Sequence, residues 1–238
     1  EKYLNWIRQR AEHIPLQQLT GEQGFMGLTF SVNEHVLIPR QDTEILVEEV
    51  LKELHDGMRV LDMCTGSGCI LLSLLHYSND CEGLGVDLSA EALEVAGRNV
   101  LKVLTPEKAE HAHFLQSDLF EKVEGKFEII VSNPPYIASA EVEKLMPEVR
   151  DHEPRMALDG TEDGLHFYRR IIEEAGKHLV SSGMLFFEIG YDQGQAVSEL
   201  MRTEGYCDVQ VVQDYAGLDR VVFGTYVTVQ PAPFAKSR

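Results

Sequence analysis

The sequence predicts an α/β chain built on an open, mostly parallel seven-stranded sheet, and three observations carry that expectation. Five short apolar runs, at Arg59–Met63, 83–86, 112–115, 127–131 and 183–189, have the length and composition of buried strands. Helical patterns lie between them, clearest in the apolar run Cys69–Tyr77 and in 89–101 and 164–179, and strands alternating with helices pair in parallel. Two further strand-like runs, 209–212 and 220–227, are joined by Asp214-Tyr215-Ala216-Gly217-Leu218-Asp219 and close the sheet as an antiparallel pair.

At 238 residues and 44% hydrophobic composition the chain has room for one substantial domain with a small appendage. No stretch approaches a membrane span and the N-terminus lacks a basic-then-apolar signal, so a cytoplasmic protein without a membrane partner is expected. The opening residues, Glu-Lys-Tyr-Leu, fall inside a helical pattern and include no Met, which leads us to expect a preceding region. With 21 basic against 39 acidic residues the formal net charge is −18; such a field repels phosphate backbones and favours a protein or small-molecule substrate. Cys64, Cys69, Cys81 and Cys207 show no C-x-x-C spacing and the histidines no H-E-x-x-H, so neither a metal site nor a disulfide framework is indicated.

Taken in order, residues 3–19 have helical apolar spacing, interrupted at Pro15 and ended at Thr20-Gly21, and lead into a linker. Phe25, Leu28, Phe30, Val32 and Val36-Leu37-Ile38, around the Asn33-Glu34 turn, predict a short β-hairpin before the hexapeptide Pro39-Arg40-Gln41-Asp42-Thr43-Glu44. Asp42 or Thr43 is placed to cap the next helix, whose stripe is Ile45, Leu46, Val50, Leu51 and Leu54; a charged hexapeptide there is as readily a plain cap as a functional motif.

The strand Arg59–Met63 runs into Cys64-Thr65-Gly66-Ser67-Gly68 and then a helix. Gly66 and Gly68 allow a tight turn and close approach of a ligand, and the helix start presents unpaired N–H groups to an anionic group. The third glycine of a dinucleotide fingerprint falls at Leu71 and no Walker lysine follows, which disfavours both a nicotinamide site and a phosphate cradle. The next strand ends at Asp87, 21 positions after Gly66, where an acid can accept from both ribose hydroxyls of a nucleoside, or cap the helix that follows. Together the two signals specify a nucleoside joined to a carboxylate, and S-adenosylmethionine has that shape. Asp118, after the third strand, can accept from an adenine amino group, with Leu119 packed on the ring; a surface acid is the plainer reading.

The fourth strand ends at Asn133-Pro134-Pro135-Tyr136, the carboxyl-end position where open α/β sheets place their chemistry. The Asn133 side-chain oxygen and a main-chain carbonyl can hold both hydrogens of one NH₂ group. The prolines stiffen the loop, and the Tyr136 ring can lie against a flat group. Residues 138–162, polar and irregular with Pro147 and Pro154, are long enough to form a flap over the crevice or a plain surface excursion. A helix near 193–203 follows the strand that ends Glu188-Ile189-Gly190, and the tail around 230–233 is expected to be disordered.

With these motifs the chain resembles the class I S-adenosylmethionine-dependent methyltransferases, and specifically the HemK/PrmC family of release factor glutamine methyltransferases. The resemblance runs from about Ile14 to Val227: Pro15-Leu16-Gln17 with Gly21, Val36 to Glu44, Asp62 to Gly68, Asn133 to Ile137, Glu153-Pro154 with Ala157-Leu158, Asp163-Gly164-Leu165 with Tyr168-Arg169, Glu188-Ile189-Gly190, and Asp219-Arg220-Val221-Val222. Asn-Pro-Pro-Tyr is shared with adenine N6 methyltransferases. The hexapeptide and the Glu-Pro and Asp-Arg-Val-Val segments single out this family.

What the resemblance implies is a Rossmann-like sheet with an N-terminal helix and hairpin remnant, divided as 1–20, 21–38, 39–227 and a tail at 228–238. It implies methyl transfer to the side-chain nitrogen of the glutamine in the Gly-Gly-Gln loop of peptide chain release factors 1 and 2; the acidic charge leads us to expect no direct nucleic-acid partner, and a monomer is expected. Cys64, Thr65, Gly66, Ser67, Gly68, Asp87, Asp118, Leu119 and Asn133 would carry the cofactor. Asn133, Pro134, Pro135 and Tyr136 would hold the glutamine, with Asn133, Pro134 and Tyr136 catalytic. Family members commonly have Gly at position 64 and Pro at 41; Cys64 should narrow the turn and Gln41 loosen its corner, without altering activity. The family's helical N-terminal domain is represented here by its last helix and linker, so weaker grip on the protein substrate is expected. The nearest rival is an adenine N6 methyltransferase, which would need a basic groove; a non-catalytic S-adenosylmethionine-binding scaffold would not need the whole tetrapeptide.

Overall fold

The computed structural model describes residues 1–227 and contains a two-stranded and a seven-stranded sheet. Helices α1 (Lys2–Ala11) and α2 (Leu16–Thr20) precede the hairpin β1 (Glu22–Phe25) and β2 (Leu28–Ser31). Then come α3 (Asp42–Glu53), β3 (Arg59–Met63), α4 (Cys69–Tyr77), β4 (Glu82–Asp87), α5 (Ala90–Val103), α6 (Pro106–Ala109), β5 (Ala112–Gln116) and β6 (Phe127–Ser132). Beyond β6 are the short helices α7 (Ser139–Val142) and α8 (Pro147–Arg150), a 3-10 turn at Arg155–Ala157, α9 (His166–Ala175), β7 (Leu179–Glu188), α10 (Gly194–Thr203), β8 (Tyr206–Gln213) and β9 (Asp219–Tyr226).

The large sheet has the order β5-β4-β3-β6-β7-β9-β8, parallel from β5 to β7 and antiparallel at β9 and β8. The chain moves outward from β3 to β5 and then returns to the other side of β3 at β6. Connections leaving β3 and β6 therefore diverge, and a crevice opens at their carboxyl ends. The core lies on both faces. Val60, Ile129 and Val131 pack with α3, α4 and α5, whereas Leu61, Met63 and Ile130 pack with α9 and α10, following the period-2 alternation of strands. In α4 every residue from Cys69 to Leu75 is buried, as its all-round apolar sequence requires.

Several elements differ from their sequence expectation. The hairpin turns at Met26-Gly27, both with positive φ (52° and 71°), and Val36-Leu37-Ile38 is no strand. A left-handed Met carries no sequence signal; it is held by tertiary bonds, its N–H donating to Glu44 Oε1 (2.7 Å) and its carbonyl accepting from the Tyr77 hydroxyl (2.6 Å). Asn33 instead makes a local turn, its side chain accepting from the His35 N–H (3.0 Å). Neither Asp42 nor Thr43 caps α3, whose N-cap is Gln41 with no side-chain bond. The helix expected over 164–179 ends at Ala175, and Leu179 already opens β7. Residues 138–162 contain α7, α8 and the 3-10 turn where an irregular run was expected. The expectation for the tail concerns residues outside the described ones.

Candidate active site

The turn after β3 is built around a buried acid. Asp62 Oδ2 accepts from the Thr65 hydroxyl (2.6 Å) and the Leu71 N–H (3.3 Å), and burial pushes its carboxyl up to about 7. Thr65 N–H donates to the Val86 carbonyl (2.9 Å), stitching the turn to β4. Cys64, Gly66 and Gly68 all have positive φ (63°, 55° and 77°). Position 64 thus favours glycine, and Cys64 occupies a conformation costing an L-residue roughly 1 kcal/mol. Gly68 is not on the cavity wall; a Cβ there would come to 3.2 Å from both Ala96 and Leu72, so it serves the contact between α4 and α5.

Asp87 closes the turn from the neighbouring tip. Its Oδ2 accepts from the Gly66 N–H (2.8 Å) and its Oδ1 from the Ser89 N–H (2.9 Å), while capping of α5 falls to Ser89, which accepts from Ala92 N–H. Each Asp87 oxygen keeps a second lone pair for a ligand. Asp118 lies one strand further out, with Oδ1 paired to Arg170 at 3.0 Å, and Leu119 is buried in a left-handed conformation (φ 47°). Asn133 stands at the tip of β6, half-buried, its carboxamide hydrogen-bonded to no described residue.

These groups surround one cavity of about 210 Å³. Of the residues expected at the site, Cys64, Thr65, Gly66, Ser67, Asp87, Asp118, Leu119, Asn133 and Pro135 line it; Gly68, Pro134 and Tyr136 do not. Pro134 is buried behind the wall, and the Tyr136 hydroxyl donates to Glu188 Oε1 at 3.4 Å. Among the described residues no group of His, Cys, Asp or Glu is arranged to hold a metal ion, and no helix is long and apolar enough to cross a membrane.

Comparison with known proteins gives this cavity a context. The family model described as Methyltransferase small domain matches residues 40–149. The Clostridium acetobutylicum release factor glutamine methyltransferase is 44% identical over 226 residues, covering 93% of this chain and 79% of that protein. The Moorella thermoacetica protein of the same name is 46% identical over 218 residues, covering 90% and 76%. The chain belongs to the release factor glutamine methyltransferase family. A solved methyltransferase from Pyrococcus furiosus, at a TM-score of 0.62 and 18% identity over 93% of this chain and 99% of that one, shares the fold.

In this family member the segments that sequence reasoning left without a role lock together around the cavity. Arg40 pairs with the buried Glu153, whose other oxygen accepts from the Ile38 N–H (3.0 Å). Asp42 lies 3.6 Å from Arg220, which also pairs with Asp214 (3.0 Å). The hexapeptide therefore ties β9 to the stretch around residues 35–40 and to the 138–162 segment. His35, Val36, Leu37, Pro39 and Arg40 from the first and Pro154, Met156, Ala157 and Asp159 from the second line the cavity, in keeping with a flap. Sequence reasoning missed the part of this roof that residues 35–40 supply, and Phe167, which also lines the cavity. It missed Asn99 as well, fully buried in α5, which donates to the Ser67 carbonyl (2.9 Å) and bonds both backbone groups of Ser31. Only the repetition of apolar positions around 35–40 hinted at burial there.

Glu188, at the end of β7, is buried beneath the Asn-Pro-Pro-Tyr loop, and burial raises its carboxyl from 4.5 to about 7 against the opposing effects of Thr43 and Arg220. A folded-state value above the unfolded one means the native protein binds the extra proton between these limits. Stability is then highest below about pH 4.5 for this group and is lost as pH rises to about 7, by at most about 3 kcal/mol. Glu188→Gln removes that loss. Its unfolding free energy relative to the parent, measured in urea, is expected to rise by about 2 to 3 kcal/mol between pH 5 and pH 8; a constant difference would show that Glu188 is ionised at no cost.

Proposed function

We propose that this chain transfers a methyl group from S-adenosylmethionine to the side-chain amide nitrogen (N5) of the glutamine in the Gly-Gly-Gln motif of release factors 1 and 2, leaving S-adenosylhomocysteine and releasing to solvent the proton that the nitrogen loses once it carries the methyl. The observation that carries the reading is Asn133, its carboxamide uncommitted, on the wall of a cavity that also bears the glycine turn and Asp87, in a chain of this family. The cavity's donors and acceptors suit a nucleoside joined to an amino acid. In the turn the N–H groups of Thr65, Gly66 and Gly68 are donated to Val86, Asp87 and Thr65, so Ser67 is the turn residue on the cavity wall whose N–H is left for a ligand; Asp87 offers two acceptors for ribose hydroxyls, and Leu119 and Phe167 apolar walls for a base. Asp118 would share its carboxylate between Arg170 and the adenine amino group.

The cofactor, when bound, supplies an electrophilic methyl on a sulfonium. An amide nitrogen is a poor nucleophile because its lone pair is delocalised into the carbonyl. The Asn133 oxygen and a main-chain carbonyl of the Asn-Pro-Pro-Tyr loop accept its two N–H bonds, fix its orientation and leave electron density on nitrogen. Tyr136 takes no proton: burial and the Glu188 carboxylate push its phenol well above the ordinary value, so it remains a donor beneath the loop. Burial, with Asp87 and Asp62 adding to it, likewise keeps the Cys64 thiol protonated, and a thiol in that state does not compete for the methyl. Such a protein acts in the cytoplasm, where release factors work.

The test offers labelled S-adenosylmethionine with purified release factor, with the same factor carrying alanine for the loop glutamine, and with duplex and single-stranded nucleic acid. Label in the intact factor alone is expected. Label in adenine would establish the rival reading, for which the net charge of −18 is unfavourable.

A further inference from the structure

We infer that Gln193 is the positioning residue that sets the Asn-Pro-Pro-Tyr loop for transfer, a role that rests on the function proposed above. Gln193 stands immediately before α10, outside the cavity, and its carboxamide spans three chain segments. Its Nε2 donates to the Tyr136 carbonyl (2.9 Å) and, more weakly, towards the Gly164 carbonyl (3.4 Å). Its Oε1 accepts from the Gly190 N–H (2.9 Å), with the Tyr168 hydroxyl at 3.4 Å. That hydroxyl donates chiefly to the Glu188 carbonyl (2.9 Å).

The surroundings are shaped to this contact. A Cβ at Gly164, whose φ is 72°, would press into the Tyr136 carbonyl and come to 2.8 Å from Gln193 Nε2; one at Gly190 would come to 3.0 Å from Oε1. A Cβ at Gly160 would come to 2.8 Å from Tyr136 Cα and 2.9 Å from the Pro135 carbonyl. The segment that carries Gly160 and Gly164 thus passes the loop at distances only glycine permits. On its other side the loop is held by Ile137 N–H donating to the Leu158 carbonyl (3.0 Å) and Gly160 N–H to the Ile137 carbonyl (2.7 Å). The backbone three residues beyond Asn133 is therefore clamped between the flap and Gln193. The carboxamide donates to one side of this gap and accepts from the other. A carboxylate keeps the bond from Gly190 but sets negative oxygen against two carbonyls.

The experiment compares the parent with Gln193→Glu and Gln193→Met, the second keeping the length and removing both bonds. Turnover of a release factor is expected to fall on the order of 10- to 100-fold in Gln193→Glu and somewhat less in Gln193→Met, because a loop displaced by about 1 Å loses alignment. The cofactor dissociation constant and the KM for the factor should stay within about threefold. Amide exchange over residues 136–139 should quicken in both variants, whereas exchange in β3 and β4 should not. The inference is overturned if turnover and cofactor affinity fall in parallel, or if both variants match the parent in turnover and exchange. A parent chain that methylates no glutamine would instead sink the proposed function, and the exchange comparison would still report whether Gln193 holds the loop.

Discussion

Asn133→Ala is expected to lower turnover by on the order of 10²-fold or more while S-adenosylmethionine affinity stays within a few-fold. The asymmetry follows from position. Asn133 lines the cavity at the tip of β6, and its carboxamide is spent on no described neighbour, so it can accept from a substrate N–H without first breaking a protein bond. The contacts that shape the glycine turn and hold Asp87 lie at the ends of β3 and β4 and do not pass through it. Alanine removes an acceptor and leaves the loop's backbone clamps intact. Single-turnover rates with saturating cofactor, set beside calorimetric titration of the cofactor, give the two quantities. Equal losses in both would mean that residue 133 holds the cofactor and not the amide.

Asp87→Ala is expected to do the converse, weakening cofactor binding on the order of 10²-fold and affecting turnover little once cofactor saturates. Hydrogen bonds to a charged acceptor are worth about 1.5 to 3 kcal/mol each, and two ribose hydroxyls would be lost together. Part of the effect is indirect, because Asp87 also holds the Gly66 N–H at 2.8 Å and so fixes the turn itself. Asp87→Asn, which keeps an oxygen acceptor, should fall between the two. Calorimetry on both variants decides it: cofactor affinity unchanged in Asp87→Ala would remove the ribose from this strand tip.

Much of this arrangement was legible in the sequence because its parts are local. The strand Arg59–Met63 and the helix Cys69–Tyr77 are found where apolar runs and glycines placed them, and the parallel pairing from β5 to β7 follows from alternating strands and helices. What could not be read depends on tertiary contact. The left-handed Met26 is stabilised by Glu44 and Tyr77, 18 and 51 residues away, so the hairpin turned earlier than its apolar pattern suggested. Arg40 meets Glu153 across 113 residues, and only that pairing turns an apparent helix cap into part of the cavity's roof. The half-buried Tyr136 reads from sequence as a platform for the substrate, yet its hydroxyl is turned to Glu188 at the end of β7. Gln193 is an ordinary polar residue before a helix until the carbonyl of Tyr136, 57 residues earlier, is found 2.9 Å away.

The central claim is that a side-chain amide from another protein docks at Asn133, facing the cofactor cavity. Tandem mass spectrometry of a release factor incubated with this chain and isotopically labelled S-adenosylmethionine tests it most directly. The account predicts one labelled methyl, on the glutamine of the Gly-Gly-Gln loop, present with the parent chain and nearly absent with Asn133→Ala. A methyl on any other residue, or one undiminished in that variant, would contradict it.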